Sequence, residues 1–231
     1  MSGSLVSPEL RSRVRGIAVP IAVGLGRLGL TPNALTLIGF AIAVVAAFAA
    51  AQQAWIAAGL LVIFGGVFDL FDGALARATN KVSRLGAFMD SVFDRWGEGV
   101  VYVGIVVGSV GFGYRAVPWL AGMAMSAAFM VSYARAKAEN LGFASGRGIA
   151  NVGLAPREVR IVILTVGLLV SGLAGTACTD TNGGFPCSDD WVAPAARVLE
   201  VTLALITVLA AITTIQRIVH VVRQSASEEH E

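Results

Sequence analysis

Apolar residues are grouped along the chain into six long runs, separated by short polar linkers. The runs cover residues 33–52, 54–77, 86–112, 116–138, 157–177 and 192–222. Each run is long enough to cross the hydrocarbon core of a bilayer, which takes roughly 20 apolar residues in a helix. Because no backbone polar group can stay unpaired in lipid, the pattern predicts six transmembrane helices.

The first 30 residues have a different pattern, in which arginines alternate with Leu, Ile and Val. The arginines are Arg11, Arg13, Arg15 and Arg27. The apolar run between them is too short for a bilayer span, so the segment favours an amphipathic helix on an anionic membrane surface. Glu9 and Pro20 interrupt the layout of a cleavable signal peptide, and we expect the segment to belong to the mature protein.

Composition agrees with a membrane protein. Of the 231 residues, 56% are hydrophobic and 14% are charged, and the mean hydropathy is +0.75. These values exclude a disordered chain and disfavour a soluble domain, and the net charge of +2 is too small to indicate a nucleic-acid partner. We predict an all-α integral membrane protein with an interfacial segment (1–30), one six-helix membrane domain (31–224) and a polar tail (225–231).

The distribution of Lys and Arg predicts the orientation. With the N-terminus inside, nearly all basic residues fall at cytoplasmic helix ends, and Arg115 and Arg197 are left for the outside. The protein is therefore expected in the cell membrane with its N-terminus facing the cytoplasm. Cys178 and Cys187 then lie in an outer loop, where a disulfide and two free thiols are both compatible with the sequence.

Four aspartates stand out because they lie in apolar helices. Asp69 and Asp72 are three residues apart and Asp90 and Asp94 are four apart, so each pair projects from one face of its helix. An ionised Asp at the bilayer centre costs roughly 2.5 to 3.5 kcal/mol, and four of them need compensation. One form of compensation is salt bridging, for instance Asp72 to Arg77 or Asp94 to Arg95. The other is bound metal, and ligands that are all oxygens favour Mg²⁺ or Mn²⁺, with room for two ions.

Residues around the aspartates indicate what a metal would serve. Gly73 and Gly86 remove side chains where a ligand approaches, and Arg77 supplies a bidentate partner for phosphate. Gly65 and Gly66 fit this role or simple helix packing equally well. The combination predicts a site for a phosphoanhydride.

The spacing of eight residues matches a known signature, D-x2-D-G-x2-A-R-x8-G-x3-D-x3-D. They are Asp69, Asp72, Gly73, Ala76, Arg77, Gly86, Asp90 and Asp94. In this signature the chain resembles the CDP-alcohol phosphotransferases. The resemblance implies an N-terminal amphipathic helix, six membrane helices, a cytoplasm-facing site and a homodimer. It also implies transfer of a phosphatidyl group from CDP-diacylglycerol to an alcohol, with release of CMP.

The same resemblance implies roles for individual residues. Asp69, Asp72 and Asp90 would bind the metal ions, with Asp94 within reach of one of them and acting as the general base. The CDP-lipid pocket would be formed by Thr31, Pro32, Asn33, Thr36, Asp69, Asp72, Gly73, Ala76 and Arg77. Taken alone, Pro32 fits a helix-start residue, which is the commoner role for proline at such a position.

Basic residues at predicted cytoplasmic helix ends suggest a phosphorylated acceptor, although the positive-inside rule also explains them. The strings around Ser132, Arg157 and Arg217 resemble the phosphatidylinositol-phosphate synthases of actinobacteria and archaea. That resemblance implies inositol 1-phosphate as acceptor, held by Ser132, Arg135, Arg157, Arg160 and Arg217. The loop from Gly142 to Gly153 has no clear match there, so glycerol 3-phosphate, as in a phosphatidylglycerophosphate synthase, stays an alternative.

Two other classes of membrane protein are alternatives to an enzyme. A transporter would line a path through the bilayer with charge, whereas both acidic pairs here lie beside one linker, residues 78–85. A scaffold could use Gly-rich and Ala-rich helix faces for assembly, but it would not explain four aspartates at metal-ligand spacing.

Overall fold

A computed structural model describes residues 8–110, 114–143, 152–176 and 193–228, and within these ranges the chain forms seven α-helices and no strand. The helices are α1 (Pro8–Arg27), α2 (Pro32–Ala51), α3 (Trp55–Ala78), α4 (Arg84–Ser109), α5 (Val117–Asn140), α6 (Arg157–Thr176) and α7 (Ala193–Glu228). Each of the six predicted runs corresponds to one helix from α2 to α7. The predicted all-helical fold is confirmed for the described residues.

Five helices, α2, α3, α5, α6 and α7, are long and apolar enough to cross a membrane. Large apolar side chains are exposed on them, among them Phe48, Phe64 and Trp119. A soluble bundle rarely exposes so many, so these faces suit lipid. Helix α4 is not among the five, since Asp90, Asp94, Arg95 and Glu98 interrupt its apolar sequence, and the count of six spans stays a prediction.

Polar side chains cap the helices that carry the site. The Thr31 hydroxyl accepts a hydrogen bond from the Ala34 amide at 3.2 Å, and Pro32 is the first residue of α2. The Ser83 hydroxyl does the same for the Gly86 amide at 3.0 Å and starts α4. The turn from α3 to α4 is short, so the two acidic helices begin and end close together.

Helices α2 to α7 form a closed ring of packing neighbours, in the order α2, α3, α6, α7, α5, α4 and back to α2, and α1 packs against α3. Gly104 and Gly108 of α4 lie against the backbone of Ala47 and Ala50 in α2, where a Cβ atom would overlap a carbonyl oxygen. Small residues allow this close approach. It brings α4 against α2, which also packs on α3, and so places the acids of α4 near those of α3.

The N-terminal helix is observed, but its position at a membrane surface stays a prediction. Ala18 and Ala22 are buried in a cluster with Leu35, Ala74 and Leu75. The side chains of Arg11, Arg13 and Arg15 lie outside the described part of the chain, as do Cys178, Cys187 and residues 144–151.

Candidate active site

Three of the four aspartates form a cluster. One carboxylate oxygen from each of Asp69, Asp72 and Asp90 lies within 4.8 Å of the others. Asp69 and Asp72 come from one face of α3, and Asp90 comes from the first part of α4. The helical spacing therefore brings together carboxylates from two adjacent helices.

The Asp72 carboxylate is buried and is held by a neighbouring helix. The Thr36 hydroxyl, near the start of α2, donates to Asp72 Oδ2 at 2.6 Å. The same hydroxyl lies 3.2 Å from the Pro32 carbonyl, which is the longer of its two contacts. Thr36 thus fixes one oxygen of Asp72 and ties α2 to the cluster.

Asp94 lies beside the cluster and is paired with a base from α6. Arg157 Nη1 is 2.8 Å from Asp94 Oδ2 and 3.2 Å from Asp69 Oδ2. The buried Nε of Arg157 has no hydrogen-bond partner among the described residues. The pairs Asp72–Arg77 and Asp94–Arg95, considered from the sequence, do not occur in the described part of the structure.

The residues present fit a divalent cation. All candidate ligands are carboxylate oxygens, the set that Mg²⁺ and Mn²⁺ prefer. Within the described ranges, Asp72 and Asp90 are in no ion pair, and Arg157 pairs with Asp69 of the cluster and with Asp94 beside it. Clustered carboxylates with so little pairing need further positive charge.

A cavity of about 270 Å³ opens on one side of the cluster. Its lining includes Pro32, Asn33, Thr36, Asp72, Gly73, Ala76, Arg77, Lys81, Gly86 and Asp90. The Arg77 guanidinium folds over Gly73, where a Cβ would lie 3.2 Å from Nη1. Seven of the nine residues expected in the CDP-lipid pocket therefore line this cavity. The other two do not line it: Thr31 caps α2, and Asp69 lines the cleft described next.

A wide cleft of about 1540 Å³ opens on the other side. It is lined by all five residues expected at the acceptor, Ser132, Arg135, Arg157, Arg160 and Arg217, and by all four aspartates. The cleft and the cavity share Asp72, Gly73, Arg77 and Asp90. The two spaces meet at the carboxylates.

The arginines of the cleft have different surroundings. Arg135 is half-exposed and bonds Glu139 Oε1 at 2.8 Å. Arg160 and Arg217 are 1% and 3% exposed. Arg217 donates to the carbonyl oxygens of Val152, at 3.1 Å, and Val131. Some of the predicted acceptor residues thus also hold the helices together.

Sequence reasoning missed Glu98. This buried residue accepts two hydrogen bonds from Arg160, at 2.9 and 2.8 Å. A signal was present, since Glu98 follows Asp94 by one helical turn and continues the stripe of acids on α4.

Gly65 and Gly66 have different roles in the structure. A Cβ at Gly65 would lie 3.4 Å from the Gly39 carbonyl, so Gly65 allows α2 and α3 to pack closely. A Cβ at Gly66 would meet nothing within 4 Å, and Gly66 lines the cleft. The two glycines also line a small apolar crevice, about 60 Å³, that reaches Asp72 and Asp94.

Comparison with known proteins agrees with this geometry. The model of the CDP-alcohol phosphatidyltransferase family matches residues 29–225. Archaetidylinositol phosphate synthase of Pyrococcus horikoshii is 36% identical over 71% of this chain and 83% of its own length. Phosphatidylinositol phosphate synthase of Cutibacterium acnes is 34% identical over 90% of this chain and 93% of its own length.

Solved structures are similar as well. Two crystal structures of Mycobacterium tuberculosis phosphatidylinositol phosphate synthase match with 28% sequence identity. The form with CDP-DAG bound has a TM-score of 0.72 and covers 89% of this chain and 93% of that chain. The complex with manganese and citrate has a TM-score of 0.71 and covers 88% of each. The family predicted from the aspartate signature is confirmed, and the chain belongs to the CDP-alcohol phosphatidyltransferases, a family of transferase enzymes.

Proposed function

We propose that this protein transfers the phosphatidyl group of CDP-diacylglycerol to inositol 1-phosphate, giving phosphatidylinositol phosphate and CMP. The observation that carries the proposal is the meeting of two spaces at one carboxylate cluster. One space has the residues expected for a nucleotide lipid, and the other has arginines suited to a phosphorylated alcohol. The names of the relatives from Pyrococcus and Cutibacterium support this pair of substrates.

The donor occupies the cavity beside α2 in this proposal. Arg77 and Lys81 supply positive charge for the diphosphate, and Gly73 leaves room for the Arg77 guanidinium. Thr31, Pro32, Asn33 and Thr36 form the start of α2, and a helix N-terminus favours an anion. The crystal structure of a relative with CDP-DAG bound supports this donor.

Asp69, Asp72 and Asp90 would hold Mg²⁺ or Mn²⁺, with two ions expected, and Asp94 would be within reach of one of them. When bound, the ions neutralise the diphosphate and stabilise the departing phosphate oxygens of CMP. The carboxylate cluster and the manganese complex of a relative support a divalent ion. Thr36 keeps Asp72 oriented for this task.

The reaction is a substitution at the phosphorus that carries diacylglycerol. The acceptor hydroxyl oxygen forms a bond to this phosphorus, and the bond to the bridging oxygen of CMP breaks. Asp94 takes the hydroxyl proton as general base, and Arg157 holds one of its oxygens at 2.8 Å. The chain's main task is to place the hydroxyl in line with the leaving group.

The acceptor phosphate lies in the wide cleft. Arg135 and Arg157 offer N–H groups there, with Ser132 beside them, and Arg160 and Arg217 add positive charge from the wall. Five such groups suit a doubly charged phosphate better than a neutral alcohol.

The membrane arrangement is part of the proposal. Helix α4 is the sixth span, since 26 residues extend about 39 Å and Glu98 is paired inside the bundle. Helix α1 lies on the cytoplasmic surface, and the N-terminus and the site face the cytoplasm. The membrane domain covers 31–224, flanked by 1–30 and 225–231, and two copies form a homodimer.

The test is product analysis with purified protein in liposomes containing CDP-diacylglycerol and Mg²⁺. Inositol 1-phosphate, glycerol 3-phosphate, free inositol and serine are offered in parallel. We expect CMP and phosphatidylinositol phosphate with inositol 1-phosphate. Phosphatidylglycerol phosphate as the main product would keep the reaction and change the acceptor. No CMP with any of the four alcohols would contradict the proposal and point to another lipid donor or another alcohol.

A further inference from the structure

We propose that Glu98 is a positioning residue for the acceptor side of the cleft. It holds Arg160, and through Arg160 it sets the depth and rotation of α6, so that Arg157 meets the carboxylates. The inference rests on the proposed transfer to a phosphorylated acceptor.

The geometry of the contact is bidentate. Arg160 Nε donates to Glu98 Oε1 at 2.9 Å, and Nη2 donates to Oε2 at 2.8 Å. The remaining nitrogen, Nη1, donates to the Ala155 carbonyl at 3.1 Å, just before α6 begins. All three guanidinium nitrogens of Arg160 are therefore engaged, and its orientation is fixed.

The pair crosses the ring of helices. Helices α4 and α6 are not adjacent in the packing order, because α2 and α3 separate them on one side and α5 and α7 on the other. Asp94–Arg157 and Glu98–Arg160 connect these two helices as successive rungs, four residues apart on α4 and three apart on α6. Helix α6 is held in the ring by its packing on α3 and α7, and these two ion pairs add direct contacts to α4.

The two rungs have different surroundings. The side chains of Glu98 and Arg160 are 3% and 1% exposed, whereas those of Asp94 and Arg157 are 16% and 26% exposed. Asp94 and Arg157 both line the cleft, so a ligand in the cleft can reach this pair. We call the buried pair, Glu98–Arg160, the inner rung and the more exposed pair, Asp94–Arg157, the outer rung. The inner rung anchors α6 to α4, and the outer rung faces the substrate.

Stability alone does not account for the inner rung. A buried ion pair loses so much hydration that a well-packed apolar pair is often as stable. What an apolar pair cannot do is fix a guanidinium by two directed hydrogen bonds. The benefit of Glu98 is therefore expected in acceptor binding.

The experiment measures steady-state kinetics of Glu98→Gln in liposomes, with both substrates varied. The amide keeps the size of Glu98 but loses its charge and one of two acceptors, so Arg160 is held less firmly. We expect the KM for inositol 1-phosphate to rise about ten-fold, while the KM for CDP-diacylglycerol changes less than about two-fold. Glu98→Asp keeps the charge and should recover part of the loss.

A matched control tests for a purely structural role. The buried Ser171 hydroxyl also ties α6 to the start of α7, through a 2.9 Å bond to the Ala195 carbonyl, at the far end of α6. Ser171→Ala should lower thermal stability and leave both KM values unchanged. If Glu98→Gln behaves as this control does, the inference is wrong.

A second variant covers the case in which Glu98→Gln does not fold. Glu98→Leu combined with Arg160→Met removes both charges, which permits a folded apolar core. The Ala155 carbonyl and the Tyr102 hydroxyl lose their partners, so we expect a small fall in thermal stability. Arg160→Met alone shows how much of a raised acceptor KM comes from the arginine itself. An unchanged acceptor KM in the double variant would overturn the inference. If the wild-type protein is inactive with every phosphorylated acceptor, this inference and the proposed function are both overturned. If the wild type is active and the variants keep the wild-type acceptor KM, only this inference is overturned.

Discussion

The two walls of the cleft are built in different ways. The acidic wall comes from one stretch of sequence, Asp69 to Asp94, in which α3 and α4 are joined by a short turn. The basic wall comes from α5, α6 and α7, with residues as far apart as Ser132 and Arg217. Local geometry therefore fixes the acids, whereas the packing of three helices fixes the bases. A change in one wall should affect the chemistry, and a change in the other should affect which acceptor binds.

The walls also differ in how their charges are used. Of the clustered aspartates, Asp72 and Asp90 are in no described ion pair, so they can take metal ions. On the basic wall, Arg160 and Arg217 already donate to carboxylate or carbonyl oxygens of the protein. The unpaired aspartates of the acidic wall are therefore available to ligands, whereas the buried arginines of the basic wall use part of their hydrogen bonding to hold the protein together.

The largest effect is expected at the acidic wall. Asp72→Asn removes a metal ligand and leaves the hydrogen bond from Thr36 possible, so folding should be kept. Loss of several kcal/mol of charge stabilisation corresponds to about a 10³-fold fall in CMP release. Titration with Mn²⁺ followed by electron paramagnetic resonance should show weaker binding. Glu200→Gln, on α7 far from the site, is the carboxylate control, and equal activity of both variants would contradict the metal site.

Asp94 separates chemistry from binding within the same wall. Asp94→Asn removes the proposed base and keeps the size of the side chain. We expect turnover to fall about 10²-fold, the lower end of the contribution of a general base, while CDP-diacylglycerol still binds. Binding is measured with a labelled donor lipid and turnover by CMP release. Unchanged turnover would remove Asp94 from the base role.

The contrast between the walls explains what the sequence alone could predict. Asp69, Asp72 and Asp90 share faces of neighbouring helices, so spacing was enough to predict their meeting. The Glu98–Arg160 pair was not predictable in this way, because its partners are 62 residues apart and depend on packing across the ring. The partner of Asp94 was missed for the same reason, since Arg157 comes from another helix.

The positions of the helices were also predictable from local sequence. Apolar runs of bilayer length predicted all six helices from α2 to α7, because hydropathy is a local property. Helix α4 is the exception in composition, since it carries Asp94 and Glu98, whose ion-pair partners lie on another helix.

A smaller effect is expected where α2 supports the acidic wall. Thr36→Val keeps the shape of the side chain and removes the 2.6 Å hydrogen bond to Asp72. A bond to a charged group contributes about 1.5 kcal/mol or more, so activity should fall about ten-fold. The Mg²⁺ concentration for half-maximal activity should rise with it, while Thr36→Ser keeps the hydroxyl and most of the activity. A loss of activity without a change in Mg²⁺ dependence would argue against orientation of Asp72.

The smallest effect is expected at the exposed edge of the basic wall. Arg135 is 43% exposed and its pair with Glu139 lies in contact with water, so it contributes about 1 kcal/mol or less to either folding or binding. Arg135→Ala should therefore raise the acceptor KM by no more than about five-fold and leave the thermal unfolding temperature unchanged. Arg217→Ala is the buried counterpart, and it should lower that temperature because the carbonyls of Val152 and Val131 lose their donor. If both variants changed only the acceptor KM, the buried arginines would bind substrate as directly as the exposed one, and the division of the basic wall into construction and recognition would fail.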